Sequence, residues 1–383
     1  MSVPFDPVTL LQSLIAYPSV SSRSNVDVTQ AVAGVLERLG FGITLCDYLD
    51  AAGVPKSNLI ASRLPSKVSQ STVGLAYFCH TDVVPADDWC GPGEAFDSVI
   101  ANDRIYGRGS CDMKGSLVAM LAAISRIDAS TQRAPIHVVC TADEEVAFVG
   151  AKHVVAHSPE YREMVAAQPV AIIGEPTLCD VVHAHKGVEV YRFISRGRAA
   201  HSSTREGLNA NIAMVPMIDE LLRLYHVSET DTALRDNRFD PPTLSWNFGF
   251  SDFATASNIV PSRSEAWVCI RTMPTIDGGS LIDAAAAKST ELGLEFVRSK
   301  GGGHVWIDPD CETIRDMCIV AGTKSPKTVC YGTDGGEFTE LKRMVILGPG
   351  DIAQAHTADE FLSLGELHRG TNIYTTALRR WCC

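Results

Sequence analysis

Short, mostly apolar runs recur along the chain between segments with a helical pattern. Four of them lie at residues 73–79, 136–140, 170–173 and 344–347. Runs of this length without polar alternation predict strands that are buried on both faces. Residues 115–127 are apolar over a greater length, which predicts a buried helix. The alternation of such strands and helices indicates an α/β fold.

A side chain able to bind a metal ion follows each predicted strand. His80 follows the first, Glu144 and Glu145 follow the second, Glu175 follows the third, and His356 comes after the fourth. Open α/β sheets bind ligands at the carboxyl ends of their strands. We therefore expect these side chains to meet at one edge of a sheet.

The middle of the chain has a different pattern, which predicts a smaller domain inserted into the larger one. Its elements follow in the order β-α-β-β-α-β, the ferredoxin-like arrangement. The predicted strands are 188–195, 243–250, 265–271 and 294–297, and the predicted helices are 209–225 and 281–292. We expect an α/β catalytic domain of residues 1–185 and 298–383, interrupted by an α+β domain of residues 186–297.

Charge and cysteine content narrow the class of protein. The 383 residues carry a net charge of −12, whereas binding to a nucleic-acid backbone requires a basic surface. No apolar run approaches the roughly 20 residues of a membrane span. The first basic residue is Arg23, which argues against an export signal. Twelve cysteines without a C-x-x-C array favour reduced thiols. We therefore expect a cytoplasmic protein with no nucleic-acid or membrane partner.

Five residues form a candidate metal site: His80, Asp112, Glu145, Glu175 and His356. The first four are spaced by 32, 33 and 30 residues, about one strand-helix unit each. Imidazoles and carboxylates suit zinc, with cobalt or manganese as substitutes. One catalytic zinc uses fewer protein ligands, so five favour two metal ions with Asp112 as the bridge. Any one of them alone has an ordinary explanation; Asp112, for example, fits a helix N-cap.

Three further side chains are candidates for catalysis. Glu144 precedes the predicted ligand Glu145 and points in a different direction, which suits a general base facing a metal-bridging water. Asp82 is placed to accept a hydrogen bond from the outer imidazole nitrogen of His80. His201 lies among small residues in the inserted domain and can donate to an oxyanion. On composition alone, an ordinary loop histidine is the simpler interpretation of His201.

These residues belong to motifs that together resemble the M20 metallopeptidase family. The motifs are residues 80–85 (HTDVVP), 107–115 (GRGSCDMKG), 143–145 (DEE), 174–177 (GEPT) and 355–360 (AHTADE). All five occur in the family's order, and the resemblance covers nearly the whole chain, including the inserted domain. Any one motif alone is a weak signal, but the combination is specific.

The resemblance implies a zinc-peptidase-like catalytic domain with two Zn²⁺ ions, Co²⁺ being a substitute. It implies the five ligands named above, Glu144 as the base, Asp82 as the partner of His80, and a cis peptide bond between Asp112 and Met113. The inserted domain is implied to be a lid that also forms a homodimer. His201 is implied to contact the reacting carbonyl, and Asn258 and Arg271 to bind the substrate carboxylate, for which the forked Arg side chain is suited.

Within the family, the surroundings of Glu175 and His356 are most similar to members that release acetate from N-acetyl-ornithine, a step of arginine biosynthesis. Removal of acetyl from citrulline, removal of succinyl from diaminopimelate, and dipeptidase or aminopeptidase activity remain alternatives. A metal-stabilised binding protein is a further alternative, although it has no need of a base such as Glu144. A nucleotide-binding oxidoreductase is disfavoured, because neither 107–109 nor 348–350 completes G-x-G-x-x-G at a strand-helix turn.

Overall fold

The computed structural model describes residues 5–66 and 73–383. The chain divides into two compact units. The first unit comprises Met1–Ala184, Trp306–Lys327 and Thr333–Cys383, and the second comprises His185–Val305 and Thr328–Gly332. The predicted catalytic domain includes residues 1–4 and 67–72, which lie outside the described residues.

Helices and strands alternate along the first unit, and the second unit has its own helices and strands. The helices are α1 (Pro7–Ile15), α2 (Val26–Arg38), α3 (Gly115–Ser125), α4 (Val149–His157), α5 (Pro159–Ala167), α6 (Asn211–Thr230), α7 (Gly279–Glu291), α8 (Glu312–Ala321) and α9 (Leu364–Cys382). The strands are β1 (Gly42–Leu49), β2 (Pro55–Arg63), β3 (Leu75–His80), β4 (Val99–Ala101), β5 (Arg104–Tyr106), β6 (Ile136–Thr141), β7 (Val170–Ile173), β8 (Val182–His185), β9 (Val188–Arg196), β10 (Asn247–Ser251), β11 (Arg263–Ile270), β12 (Glu295–Gly302), β13 (Val305–Trp306), β14 (Lys327–Val329), β15 (Met344–Ile346) and β16 (Phe361–Ser363).

The central sheet has the order β1-β2-β6-β3-β7-β15-β8-β13, with β14 beside β8. The four predicted apolar strands are its neighbours β6, β3, β7 and β15, and they are mutually parallel. Every residue of β3 and β7 is buried, as is every residue of α3, which explains why their sequences lack polar alternation. The α/β prediction is confirmed, and the carboxyl ends of these four strands share one edge.

The second unit contains an antiparallel sheet of order β10-β11-β9-β12, with α6 and α7 between its strands in the chain. Element order and sheet order confirm the ferredoxin-like prediction. Strand β10 begins at Asn247 rather than at residue 243. The reason is local, because the carbonyl oxygen of Thr243 accepts a hydrogen bond from the Lys186 ammonium at 2.5 Å and Ser245 has a positive φ.

Among residues 5–66 and 73–383, no helix combines the length and the apolar character that crossing a membrane requires.

Candidate metal centre

Strand ends bring four of the predicted ligands to the same edge of the central sheet. His80 is the last residue of β3, Glu145 follows the end of β6, and Glu175 lies two residues past β7. His356 follows β15 after a short 3-10 turn at Ile352–Gln354. The parallel pairing of these strands therefore gathers side chains that are far apart in sequence.

The fifth predicted ligand, Asp112, lies in the loop that leads into α3. Gly109 in this loop has a φ of 82°, a left-handed conformation that favours glycine. The peptide bond between Asp112 and Met113 is cis, as the resemblance implied. The loop places the Asp112 carboxylate between the two histidines.

Two groups of three side chains share Asp112. His80 Nε2 lies 3.0 Å from Asp112 Oδ1 and 4.0 Å from Glu175 Oε1. His356 Nε2 lies 3.4 Å from Asp112 Oδ2 and 3.0 Å from Glu145 Oε2. Within each group the candidate ligand atoms all lie within 4.8 Å of one another. Each Asp112 oxygen thus faces a different histidine, which is the arrangement of a carboxylate that bridges two cations.

The donor atoms and their spacing fit divalent metal ions. Zinc binds imidazole nitrogen and carboxylate oxygen at about 2.0–2.2 Å, so tetrahedral geometry separates neighbouring ligand atoms by roughly 3.3 Å. The separations of 3.0 and 3.4 Å between Asp112 and the two histidines are close to that value. Cobalt and manganese accept the same donors. The residues present therefore fit a pair of cations.

Glu144 lies beside this pair of groups. One of its oxygens is within 4.8 Å of ligand atoms of His80 and Glu145. The residue is only 8 % exposed. Burial raises the pKa of Glu144 well above its usual value, and the charges of Glu175 and Glu145 raise it further. A carboxylate with a raised pKa takes up a proton readily, as a general base near neutral pH must.

The ionisable side chains of the site shift one another's pKa values. The pKa of His356 is raised to about 10 by its hydrogen bonds with Asp112 and Glu145. Burial raises the pKa of Glu175 well above its usual value, and the Asp112 charge adds to the rise. Glu144, Glu145 and Glu175 are thus crowded into one buried site, where neighbouring carboxylate charges raise the pKa of each. Divalent cations relieve this repulsion, which also fits a metal site.

Asp82 contacts His80 through its backbone carbonyl and not, as predicted, through its carboxylate. His80 Nδ1 lies 2.9 Å from the backbone carbonyl of Asp82 but 3.7 Å from its carboxylate, which is beyond hydrogen-bond length. The Asp82 carboxylate instead accepts hydrogen bonds from the backbone N–H groups of Glu144 and Glu145, at 3.1 and 3.4 Å. Asp82 therefore orients His80 through its main chain and the acidic pair through its side chain.

Sequence reasoning missed a buried ion pair behind the acidic pair. Lys56 Nζ lies 2.7 Å from Asp143 Oδ1, and both side chains are almost fully buried. Lys56 also donates to the carbonyl oxygens of Ser21 and Arg23. The pair fixes the residue that precedes Glu144. Lys56 lies near the start of the mostly buried strand β2, but nothing in the sequence identifies its partner, which is 87 residues away.

The three remaining predicted residues belong to the second unit. His201 is exposed, and its Nδ1 lies 2.7 Å from Ser203 Oγ. Asn258 lies close to His201, since the backbone carbonyl of Asn258 accepts a hydrogen bond from the backbone N–H of Ser202 at 3.0 Å. Arg271 directly follows β11. The structure thus brings His201 and Asn258 together, and their roles remain predictions.

Comparison with known proteins supplies relatives over nearly the full length. Residues 76–380 match the profile of peptidase family M20/M25/M40. Acetylornithine deacetylase of Myxococcus xanthus is 31 % identical, over 97 % of this chain and 96 % of its own length. Acetylornithine deacetylase of Proteus mirabilis (strain HI4320) is 30 % identical, over 98 % of this chain and 96 % of its own. The crystal structure of the M20 family metallo-carboxypeptidase Sso-CP2 from Sulfolobus solfataricus has a similar fold, with a TM-score of 0.76 at 18 % identity, covering 98 % of this chain and 99 % of that one.

Proposed function

We propose that this chain, which belongs to peptidase family M20/M25/M40, uses two metal ions to remove the acetyl group from N-acetyl-ornithine. Its membership and its relatives make it a hydrolase of amide bonds. The observation that carries the metal part is the pair of three-residue groups sharing Asp112, with Glu144 beside them. The choice of acetyl and ornithine is supported by the deacetylases that are about 30 % identical over almost the whole chain.

The two groups define which residues would hold the cations. His80 and Glu175 would hold one ion, Glu145 and His356 the other, and Asp112 would bind both. Cations bound there would polarise the amide carbonyl and lower the pKa of a water molecule. We propose zinc as the native metal, with cobalt as a substitute, because imidazole and carboxylate together suit both.

The proposed chemistry of the chain itself is proton transfer by Glu144. As a carboxylate, Glu144 accepts a proton from the attacking water and later delivers it to the departing amine. The backbone N–H of Glu144 is held by Asp82 and the preceding Asp143 by Lys56, so little freedom is left to its main chain. Positioning of this kind is what a general base needs.

The resemblance also assigns roles to side chains of the second unit, and we propose them on that basis. His201 would stabilise the oxyanion, and Asn258 and Arg271 would bind the substrate carboxylate. One oxyanion donor is typically worth about 3 kcal/mol of transition-state stabilisation. Replacement of His201 by alanine should accordingly lower kcat strongly at unchanged zinc content.

We propose that the chain forms a homodimer through its second unit. Strand β10 is at the edge of its sheet, and Phe250 on it is 64 % exposed. On α6, Ile212 and Val215 are 72 % and 65 % exposed. Large exposed apolar side chains of this kind mark protein-protein contacts. Light scattering of the wild-type chain and of Phe250→Glu should give a dimer and a monomer, respectively.

We further propose that the enzyme works in the cytoplasm. All twelve cysteines are free thiols, and they include the buried Cys79, Cys111 and Cys140. Proteins of oxidising compartments usually join their cysteines in disulfide bonds, so free thiols support a location in a reducing compartment such as the cytoplasm.

A product assay tests the proposed reaction. The chain is stripped with a chelator, reloaded with zinc, and offered N-acetyl-ornithine, N-acetyl-citrulline, N-succinyl-diaminopimelate and a dipeptide. We expect acetate release from N-acetyl-ornithine to be fastest and to stop when the chelator is added. Faster cleavage of another substrate would replace the substrate assignment, and turnover in the presence of chelator would contradict the metal-dependent mechanism.

A further inference from the structure

The Glu360 carboxylate accepts four hydrogen bonds from residues 108–112 of the loop that carries Asp112. Its Oε1 accepts from the backbone N–H groups of Cys111 at 2.9 Å and Asp112 at 3.0 Å. Its Oε2 accepts from the backbone N–H of Gly109 and from the Arg108 guanidinium, both at 2.9 Å. The Glu360 and Arg108 side chains are each 1 % exposed. Four donors converge on one buried carboxylate that has no place in the proposed chemistry.

The same contact joins the loop to the segment of His356. Glu360 lies four residues after His356, and its backbone carbonyl accepts a hydrogen bond from Gly107 at 3.0 Å. Directly beyond, β16 pairs with β5, which leads into the loop, and Phe361 lies opposite Tyr106. The segment that carries His356 and the loop that carries Asp112 are therefore held together at Glu360.

We propose that Glu360 is a positioning residue that sets the affinity of the metal site formed by Asp112, Glu145 and His356. This inference rests on the proposed two-metal site. Of that group, Asp112 and His356 both belong to segments that Glu360 ties together, whereas the group of His80, Asp112 and Glu175 depends on Glu360 through Asp112 alone. Loss of the carboxylate should therefore release the metal of the His356 group first.

The substitution Glu360→Gln isolates the carboxylate at nearly unchanged size. A glutamine side chain has a single acceptor oxygen, which can serve only one of the two pairs of donors. Its NH₂ group then faces the N–H donors of the other pair, and those buried donors lose their acceptor. Glu360→Asp keeps the charge but withdraws it by one methylene from all four donors. Removing the partner of a group that binds metal typically weakens metal affinity roughly 10- to 100-fold.

The test measures bound zinc in the full chain. Chelator-stripped protein is dialysed against a series of buffered free Zn²⁺ concentrations, and zinc per chain is measured by elemental analysis. Wild-type chain should take up two zinc ions. Glu360→Gln and Glu360→Asp should take up one ion at the free zinc concentration that gives two in the wild type, and the second should bind at least 10-fold more weakly.

Leu362→Ala is the matched control. Leu362 is buried two residues away, on β16, where its side chain packs against Gly115 and Gly350, so its truncation loosens the packing of the same two segments but removes no hydrogen bond of Glu360. This variant should still bind two zinc ions with wild-type affinity. Wild-type affinity for both ions in the Glu360 variants, or equal losses in those variants and in Leu362→Ala, would overturn the inference. If Glu360→Gln does not fold, Glu360→Asp decides by the same criterion. A wild-type chain that binds fewer than two zinc ions would instead contradict the proposed function.

Discussion

At the scale of single residues, Glu144 is where the proposed mechanism is most easily tested. Glu144→Gln retains the size of the side chain but removes its ability to accept a proton. General-base catalysis is worth about 10²- to 10⁴-fold, so we expect kcat for N-acetyl-ornithine to fall by that factor. The five proposed ligands are unchanged, so zinc content should remain at the wild-type level. Stopped assays and elemental analysis of the same samples measure both quantities.

The control for this substitution is Glu340→Gln, which removes the charge of an acid in a surface ion pair with Arg162. Surface ion pairs contribute little, so its turnover should equal that of the wild type. Turnover of Glu144→Gln at the level of this control would remove Glu144 from the role of base.

A half-buried histidine outside the site, His137 on β6, predicts a pH dependence of stability. Burial lowers the pKa of His137 to about 4, while the unfolded chain has an ordinary value near 6.5. The unfolded state therefore binds the proton first, and stability present above pH 6.5 is lost as the pH falls towards 4. By pH 5 the loss from this one residue is about 2 kcal/mol.

Substitution His137→Gln should remove that loss. Urea unfolding at pH 7 and pH 5 gives the free energy of unfolding of each protein, and the decrease between the two should be about 2 kcal/mol smaller in the variant. His226 is exposed on α6, and His226→Gln should show the wild-type decrease. Equal decreases in wild type and His137→Gln would show that the imidazole is not held neutral.

At the scale of helices and strands, the parts of the site that were predictable are those carried by strand ends. Apolar runs identified β3, β6, β7 and β15, and the position of Glu175 after β7 followed directly. Local sequence determines such features, because a strand buried on both faces has to be apolar. The side chains just past its carboxyl end then lie at the edge of the sheet where ligands bind. Asp112 was included because it lies 32 residues after His80 and 33 before Glu145, although its loop has no periodicity of its own.

The contacts that hold these elements in place were not predictable. Glu360 accepts hydrogen bonds from residues about 250 positions earlier in the chain, and Lys56 forms an ion pair with Asp143, which is 87 positions later. Sequence patterns register that a residue is charged but not where a distant partner lies. Likewise, the residues around Asp82 do not reveal that its backbone carbonyl, rather than its carboxylate, is the hydrogen-bond partner of His80. Geometry between distant segments decides such details, and only the fold supplies it.

Gly174 shows how tightly a strand end is packed against its neighbours. A Cβ atom there would lie 2.2 Å from Tyr77 Oη and 2.7 Å from Ser116 Oγ. These two groups are buried and hydrogen-bonded to each other at 2.8 Å, so neither can move away easily. We expect Gly174→Ala to lower the free energy of unfolding by about 1–3 kcal/mol. It should also weaken zinc binding, because the adjacent Glu175 has to shift.

Gly34→Ala is the matched substitution at an open position. Gly34 lies inside α2, and the nearest atom to its added Cβ is Arg38 Nη1 at 3.7 Å. Alanine in a helix interior is favoured over glycine by about 0.5–1 kcal/mol, so this variant should be slightly more stable than wild type. Urea unfolding and zinc titration measure both variants. If Gly174→Ala matched Gly34→Ala in stability, the close packing behind Glu175 would be contradicted.

For the whole molecule, the metal ions should contribute to stability as well as to chemistry. A ligand that binds only the folded chain stabilises it by about 2.7 kcal/mol at 100 times its Kd. With an unfolding entropy of about 2.1 cal/mol/K per residue, this corresponds in a 383-residue chain to a rise in Tm of about 3 °C for one ion and about 7 °C for two. Thermal unfolding in saturating zinc and in chelator measures the difference.

Two variants grade this difference by the number of ions they can hold. Asp112 serves both groups, so Asp112→Ala should have nearly the same Tm in zinc and in chelator. His356 serves one group, so His356→Ala should retain part of the wild-type shift through the intact group of His80, Asp112 and Glu175. Each comparison is made within one variant, so a change in the stability of the metal-free chain does not affect it. Equal shifts in all three proteins would mean that zinc stabilises the chain elsewhere, and Asp112 would then not be the residue on which both ions depend.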